Sequence, residues 1–285
     1  AGVALVRAVV RHAAMLKRIL IIDSGSTDGS LAQLRDFSVE ILSVPMGTFD
    51  HAGTRKMACG VLNDCDILVF LTQDVVLADS RVFQELLGSF NDPSVGAVFG
   101  RQRPSRDATP FAAHARLFNY PPRSQVKSVA DVPQLGLKTV FISNSFAAYR
   151  RKILEGVGGF PDRSIVSEDT WVAARMLLAG WKVAYCAEAT VYHSHNYNWC
   201  QEFQRYFDVG VFHAREPWIR ERFGGAEGEG WFFLKSELIF LLRQAPFLIP
   251  SALLRTFAKY AGFRMGLLER VFPLAVKRLV SMQKV

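Results

Sequence analysis

Arg18-Ile-Leu-Ile-Ile-Asp23-Ser-Gly-Ser-Thr-Asp28-Gly-Ser30 passes from a short apolar run into a turn of small polar residues. Four consecutive apolar residues ended abruptly by an acid suit a strand buried on both faces of a parallel sheet. Asp28 is placed to cap a helix running through Leu31 and Leu34. Strand, turn and helix in that order open a βαβ unit. The same alternation continues outward. Val39–Val44 reads as a second strand, and Asp50 or Thr54 can start a helix toward Leu62. Asp66–Leu71 reads as a third strand, residues 80–90 as a helix and Val95–Phe99 as a strand. The chain is therefore expected to be α/β, with buried parallel strands.

The third strand ends in Thr72-Gln73-Asp74, so two strands each deliver an aspartate just beyond their carboxyl ends. Ligands bind along that edge of open α/β sheets, which makes Asp23 and Asp74 candidates for one crevice. Each also has a plainer reading as a cap of the turn that follows it. Residues 100–139 carry five prolines and seven Lys or Arg and read as a long irregular segment. Strands are expected around Thr139–Ile142 and Phe146–Tyr149. Glu168-Asp169 then opens a helix that ends at Gly180, and Lys182–Cys186 begins another strand. Val191–His195 reads as one more, on which His193 and His195, two apart, share a face. From Trp199 the pattern is helical, with Gly224–Gly230 as a linker.

Composition removes several classes. Half of the residues are hydrophobic and 21% are charged, which excludes a disordered chain. No apolar run reaches the roughly 18–20 residues that span a bilayer, and the first fifteen residues do not read as a signal peptide. Cys59, Cys65, Cys186 and Cys200 match neither a zinc spacing nor a disulfide framework and read as reduced thiols. No G-x-G-x-x-G follows the first strand, which argues against a dehydrogenase. No helix-turn-helix, zinc or RNP pattern accompanies the net charge of +8, so no nucleic-acid partner is expected.

The motifs, taken in order, resemble family 2 glycosyltransferases of the GT-A nucleotide-diphospho-sugar transferase fold, which implies a Rossmann-like mixed sheet. Ile-Ile-Asp23-Ser-Gly-Ser-Thr-Asp28 is similar to the first nucleotide-binding segment of that family. Phe49-Asp-His-Ala-Gly-Thr-Arg55-Lys resembles its glycine-and-arginine segment, and Phe70-Leu-Thr-Gln73-Asp74 stands in the place of its acidic metal motif. Asn144-Ser-Phe-Ala-Ala-Tyr, then Val157-Gly-Gly-Phe-Pro-Asp, then Glu168-Asp169-Thr-Trp171 resemble the acceptor segment and the glutamate-aspartate motif. His193-Ser-His195, followed by an aromatic and basic helix, is similar to the rhamnosyltransferase branch. The resemblance covers roughly residues 18–215.

It implies an inverting transfer of a sugar, rhamnose from dTDP-rhamnose, to a lipid-linked saccharide of a bacterial surface polysaccharide. Asp23, Ser24, Arg55, Gln73 and Asp74 would bind the nucleotide-sugar; Asn144, Glu168 and Trp171 would lie on the acceptor side. Asp74 and His195 would hold a divalent cation, Mg²⁺ or Mn²⁺, although Gln73 replaces an acid that the family usually has. Inversion needs a base on the acceptor face, and Asp169 fits that role. Glu168 and Asp169, adjacent on a helix, do not share a face, so one of the two points into the cleft. The family also has a strand ahead of the first helix, whereas Ala1–Lys17 reads as a helix. Two other readings are therefore open: another hexosyltransferase of the family, or a shortened, inactive domain that binds a glycan or a partner.

The charge is unevenly placed. Residues 231–285 hold nine Lys or Arg and two Glu, leaving 25 basic and 24 acidic residues in the first 230. A transferase domain over 1–223 is thus expected to precede a basic, amphipathic helical region over 224–285. Basic residues interleaved with Phe, Leu and Trp suit an anionic membrane surface, and placement as a peripheral protein on the cytoplasmic face follows. The plainer alternative is a helical pack against the catalytic domain with a solvated basic face.

Overall fold

β1 (Leu20–Asp23) pairs in parallel with β2 (Glu40–Ser43) through α2 (Ser30–Leu34), completing the βαβ unit that the sequence announces. A computed structural model describes residues 2–45, 47, 49–225 and 227–283. The segment before β1 is helical, α1 (Gly2–Val10), followed by a 3₁₀ turn. Asp50 caps α3 (His51–Val61) by accepting from the Gly53 N–H at 2.9 Å.

The larger sheet has the strand order β3-β7-β5-β8-β4, with β6 on a second stretch of β8. Its members are β3 (Ile67–Leu71), β4 (Val76–Leu77), β5 (Val95–Arg103), β6 (Gln125–Lys127), β7 (Phe146–Arg150) and β8 (Lys182–Tyr192). β5 and β8 run parallel, and β7 lies antiparallel to both β3 and β5. β3, β5 and β8 therefore end at one edge, where β7 begins. β1 and β3 are not paired to each other. Between them lies a cavity of about 760 Å³ lined by both strands, by α1 and by Asp23 and Gln73.

Strand alternation builds two cores. Phe146 and Ala148 of β7 face one side, with Val82, Phe83 and Leu86 of α4 (Val82–Gly88). Ala147 and Tyr149 face the other, against Val172, Ala173 and Met176 of α8 (Glu168–Leu178). Gly100 sits where the register of β5 against β8 shifts, and a Cβ there would collide with the Phe146 ring and the Ala189 carbonyl.

Two expectations fail in the middle of the chain. Residues 100–139 are not an irregular loop: they hold the end of β5, α5 (Pro110–Asn119), β6 and α6 (Val132–Leu135). Thr139–Ile142 is not a strand; Gly136–Val140 is a 3₁₀ turn. The expected Val191–His195 strand is the end of β8, with His193 and His195 just past its last residue.

After α7 (Arg151–Gly156), α8 and β8 the chain is helical: α9 (Trp199–Arg215), α10 (Pro217–Phe223), α11 (Glu227–Gln244), α12 (Ile249–Leu267) and α13 (Leu274–Val280). α11 begins within the expected Gly224–Gly230 linker; Ala226 there, and Lys284 in the tail, lie outside the described residues. α12 lies directly on α9. Gly262 and Gly266 are one turn apart, and a Cβ on either would strike the carbonyl of Phe203 or Phe207. Gly210 of α9 meets Gly266 in return, so two backbones touch where side chains would hold them apart. No helix among the described residues is long and apolar enough to cross a membrane.

Candidate active site

The edge where β3, β5 and β8 end collects most of the polar residues singled out above. Leu71 pairs with Phe146, and the Thr72 N–H donates to the Ser145 carbonyl at 3.3 Å, which sets Asp74 and Asn144 at the same end of the sheet. Gln102, near the end of β5, donates to Ser143 at 2.9 Å, and His193 leaves β8 beside it. Connections of opposite type, one antiparallel and one parallel, thus converge on one rim.

Asp169 and Glu168 begin α8 behind Ser167, whose φ of 61° is the only positive value outside glycine among the described residues. Backbone held in that region costs of order 1–3 kcal/mol and persists only where surrounding contacts impose it. Those contacts are visible. Buried Glu168 takes an ion pair from Arg55 at 2.7 Å and a hydrogen bond from the Asn144 amide at 3.1 Å. The Asn144 carbonyl oxygen accepts from the Tyr149 hydroxyl at 2.7 Å. Arg55, Glu168, Asn144 and Tyr149 form one chain of partners reaching from α3 across α8 to β7.

Asp169 has a different environment. Its carboxylate accepts from the backbone N–H of Asn144 at 3.2 Å and of Thr170 at 2.8 Å, and the side chain stays half-buried. Burial, and next the charge of Glu168, push its pKa up to about 6, while those two N–H groups oppose the rise. Among the described residues no cation pairs with it directly; Arg55 is committed to Glu168. A carboxylate ionised at neutral pH yet readily protonated has the properties of a general base.

Asp74, His193 and His195 bring one carboxylate oxygen and two imidazole nitrogens within 4.8 Å of one another. His193 Nε2 lies 3.0 Å from Asp74 Oδ2, and His195 Nδ1 lies 3.9 Å from the same oxygen. Burial alone would raise the Asp74 pKa, but the hydrogen bond to His193 wins and holds it well below the usual carboxylate range. Burial, then the neighbouring His193 and Arg116, lower His195 to about 4, so its ring is neutral with a free lone pair. His193 Nδ1 meets the Gln102 oxygen at 2.8 Å, an arrangement that puts a proton on Nδ1. A hydrogen bond from Nε2 to Asp74 then requires a second proton on the ring, whereas a divalent cation lying between the two groups would take the Nε2 lone pair and the carboxylate together. Two imidazoles and a carboxylate suit Mn²⁺ better than Mg²⁺, which prefers an all-oxygen shell.

The remaining residues are spread around this rim. Asp23, at the end of β1, accepts from Ser26 and from the Gly25 N–H at 2.9 Å, and these bonds hold its pKa down. It lines the cavity between β1 and β3 together with Gln73, and half-buried Ser24 follows it. Trp171 donates to Glu216 at 3.2 Å and lies under the Arg175 guanidinium, anchoring α8 to the α9–α10 junction. Two participants were not singled out in the sequence: Gln102, whose partner His193 lies 91 residues away, and Tyr149, whose hydroxyl holds the Asn144 side chain five residues back. His193 carried a weaker signal than His195, yet it makes the closer contact with Asp74.

This chain belongs to glycosyl transferase family 2, whose pattern its residues 3–158 match, and it is a glycosyltransferase of the GT-A fold. Two relatives are similar over nearly its whole length. The O-antigen chain rhamnosyltransferase RfbN of Salmonella typhimurium (strain LT2) is 53% identical over 268 residues, 94% of this chain and 85% of the relative. The O-antigen chain rhamnosyltransferase WbaN of Salmonella anatum is 52% identical over 267 residues, with the same shares. Among solved structures, the mannosyltransferase PcManGT from Pyrobaculum calidifontis, in complex with GDP-Man and Mn²⁺, superposes with a TM-score of 0.54. It is 18% identical and covers 92% of this chain and 77% of its own, a likeness of fold.

Proposed function

We propose that this chain transfers rhamnose from dTDP-rhamnose to a lipid-linked saccharide acceptor of a bacterial O-antigen-type polysaccharide, with inversion in a single displacement. The identity of more than half of the aligned residues to two O-antigen chain rhamnosyltransferases carries the choice of sugar and pathway class. The half-buried Asp169 carboxylate, with its raised pKa and no direct cation partner, supports the mechanism.

In that mechanism Asp169 accepts the proton of the acceptor hydroxyl as its oxygen attacks the anomeric carbon. The bond from that carbon to the diphosphate breaks on the opposite face, and the nucleoside diphosphate leaves with the electron pair. Asn144 holds Asp169 through its backbone N–H and Glu168 through its amide, so both acids keep separate orientations. Arg55 neutralises Glu168, which keeps a second negative charge from raising Asp169 further. Asp74, His193 and His195 would hold the divalent cation, which when bound supplies charge stabilisation to the leaving diphosphate. Asp23, Ser24 and Gln73 are assigned to the nucleotide side of the cleft, and Trp171 to the acceptor side as support for α8. Residues 1–223 would form the transferase domain and 224–285 a helical region docked on it. We place the protein at the cytoplasmic face of the cell membrane, where a lipid-linked acceptor is reached.

The test is release of nucleoside diphosphate from a panel of nucleotide-sugars, each with Mn²⁺ and a saccharide acceptor. dTDP-rhamnose should be turned over and the other donors should not. Asp169→Asn should lower transfer by about 10²–10⁴-fold while donor binding changes little. Preference for another donor overturns the choice of sugar; near wild-type turnover by Asp169→Asn overturns the base.

A further inference from the structure

α12 presents opposite faces of very different character. Its Ala258, Gly262 and Gly266 face is locked against α9, so this helix cannot roll to hide the other side. That other side carries Leu253, Leu254, Phe257, Tyr260 and Leu268, all exposed, with Leu254 at 66% and Phe257 at 69%. α11 contributes Phe232, Ile239 and Leu242, and the turn joining the two helices puts Phe247 at the tip, 79% exposed. Packing cannot be blamed for a failure to bury them. The hairpin already has an apolar seat, in which Leu241, Ala245 and Ala252 close around Phe111 of α5.

The charges are sorted as sharply. Lys235, Arg243 and Arg264 are exposed on the outward stripes of the two helices, and Arg270 and Arg278 follow. Only two carboxylates occur between Trp231 and Gln283, and both point inward. Glu237 is 1% exposed beside His114, and Glu269, 4% exposed, is held by Arg215 at 2.7 Å and Lys277 at 3.1 Å. The outward surface between Trp231 and Gln283 is therefore apolar and cationic, and Glu229, in the first turn of α11, is answered by Lys138 at 2.6 Å.

From this juxtaposition we infer that the outward face of the α11–α12 hairpin seats on an anionic lipid bilayer, with Phe247, Leu254 and Phe257 entering the headgroup boundary and Lys235, Arg243 and Arg264 meeting lipid phosphates. It deepens the membrane placement proposed above and rests on that placement, but not on the identity of the sugar. Aromatic and branched side chains at the acyl boundary, with cations at headgroup level, match such an interface. A second copy of the chain is a poorer occupant. Two-fold pairing through this face would bring the Lys235, Arg243 and Arg264 cations of the two copies together, with no exposed carboxylate between Trp231 and Gln283 to meet them.

The test is co-sedimentation of the full chain with vesicles of phosphatidylethanolamine and phosphatidylglycerol, and with phosphatidylcholine vesicles as the neutral probe. Binding to the anionic vesicles should exceed binding to the neutral ones by about tenfold and fall in high salt. Phe247→Glu with Leu254→Glu should cut anionic-vesicle binding by about tenfold or more, with an unchanged circular-dichroism melt because both positions are exposed. Lys235→Glu with Arg264→Glu should remove the preference for anionic lipid. Failure of the wild-type chain to sediment, equal binding to both vesicle types, or undiminished binding by the first variant overturns the inference. So does a chain that forms a dimer, dispersed by that variant, in place of binding vesicles. Transfer to a short water-soluble acceptor, measured without vesicles, should be the same in wild type and variants. Absence of transfer by the wild type, with vesicle binding as expected, would count against the proposed reaction and leave the surface standing.

Discussion

Glu168 and Asp169 are neighbours in sequence that the structure sends to different tasks. Glu168 is buried with its charge answered by Arg55, while Asp169 keeps partial exposure and only backbone N–H donors. The raised pKa of Asp169 then predicts the pH profile. A base works when ionised, and this carboxyl is protonated below about 6, so kcat/KM should fall about tenfold per pH unit on the acid side of that value. Glu168→Gln removes a nearby negative charge and frees Arg55, and both changes favour the ionised form of Asp169. The acid limb should therefore move to lower pH in that variant. A limb that stays in place, or moves upward, would show that the group being titrated is not Asp169. The residue types at this site were legible through their motifs. Their partners were not, since the Arg55–Glu168 contact joins positions 113 apart.

Elements with local signals were readable and those with mixed signals were not. β1, β3 and α8 have unbroken apolar patterns and clear boundaries, and they form close to the expected residues. α5 was hidden by the prolines around it. Yet Thr109 caps it and Pro110 occupies its first turn, where a missing N–H costs nothing. The same prolines that suggested a loop were a helix start. The Gly262–Gly266 stripe was equally silent, because glycine inside a helix weakens it and only the partner backbone explains its presence. Gly266→Leu should force α12 off α9 and lower unfolding stability by at least about 2 kcal/mol. Thermal or urea unfolding measures this; a melt like that of the wild type would refute the contact. Gly228→Ala in α11, which meets nothing within 4 Å, is the control and should not lower stability.

At the scale of the whole molecule, the rim of the larger sheet assembles ligands from β3 and β8, held in part by β5. Cation binding should therefore be felt as global stability. Mn²⁺ at about 100 times its Kd should raise unfolding free energy by about 2.7 kcal/mol, provided that the unfolded chain does not bind it. Asp74→Ala, which removes the carboxylate facing both imidazoles, should abolish that increment in a calorimetric melt. Retention of the full increment would move the cation site elsewhere. The net charge of +8 is likewise a whole-molecule property that acquires meaning by position. Arg215, Lys277 and Lys259 turn partly inward to buried carboxylates or rings, whereas Lys235, Arg243 and Arg264 remain on the outward face.

The sequence by itself determined the α/β class, the order of the motifs, the pair of acids at the start of α8 and the helical, basic character of the last third. These depend on local periodicity and on residue types at fixed spacing, both of which survive in one dimension. Only the tertiary structure decided which histidine meets Asp74 most closely, which acid takes Arg55, and which side of α12 faces outward. Each of those outcomes is set by contacts between segments dozens to more than a hundred residues apart. Their free energy comes from excluding water at surfaces that do not exist until the chain has closed on itself.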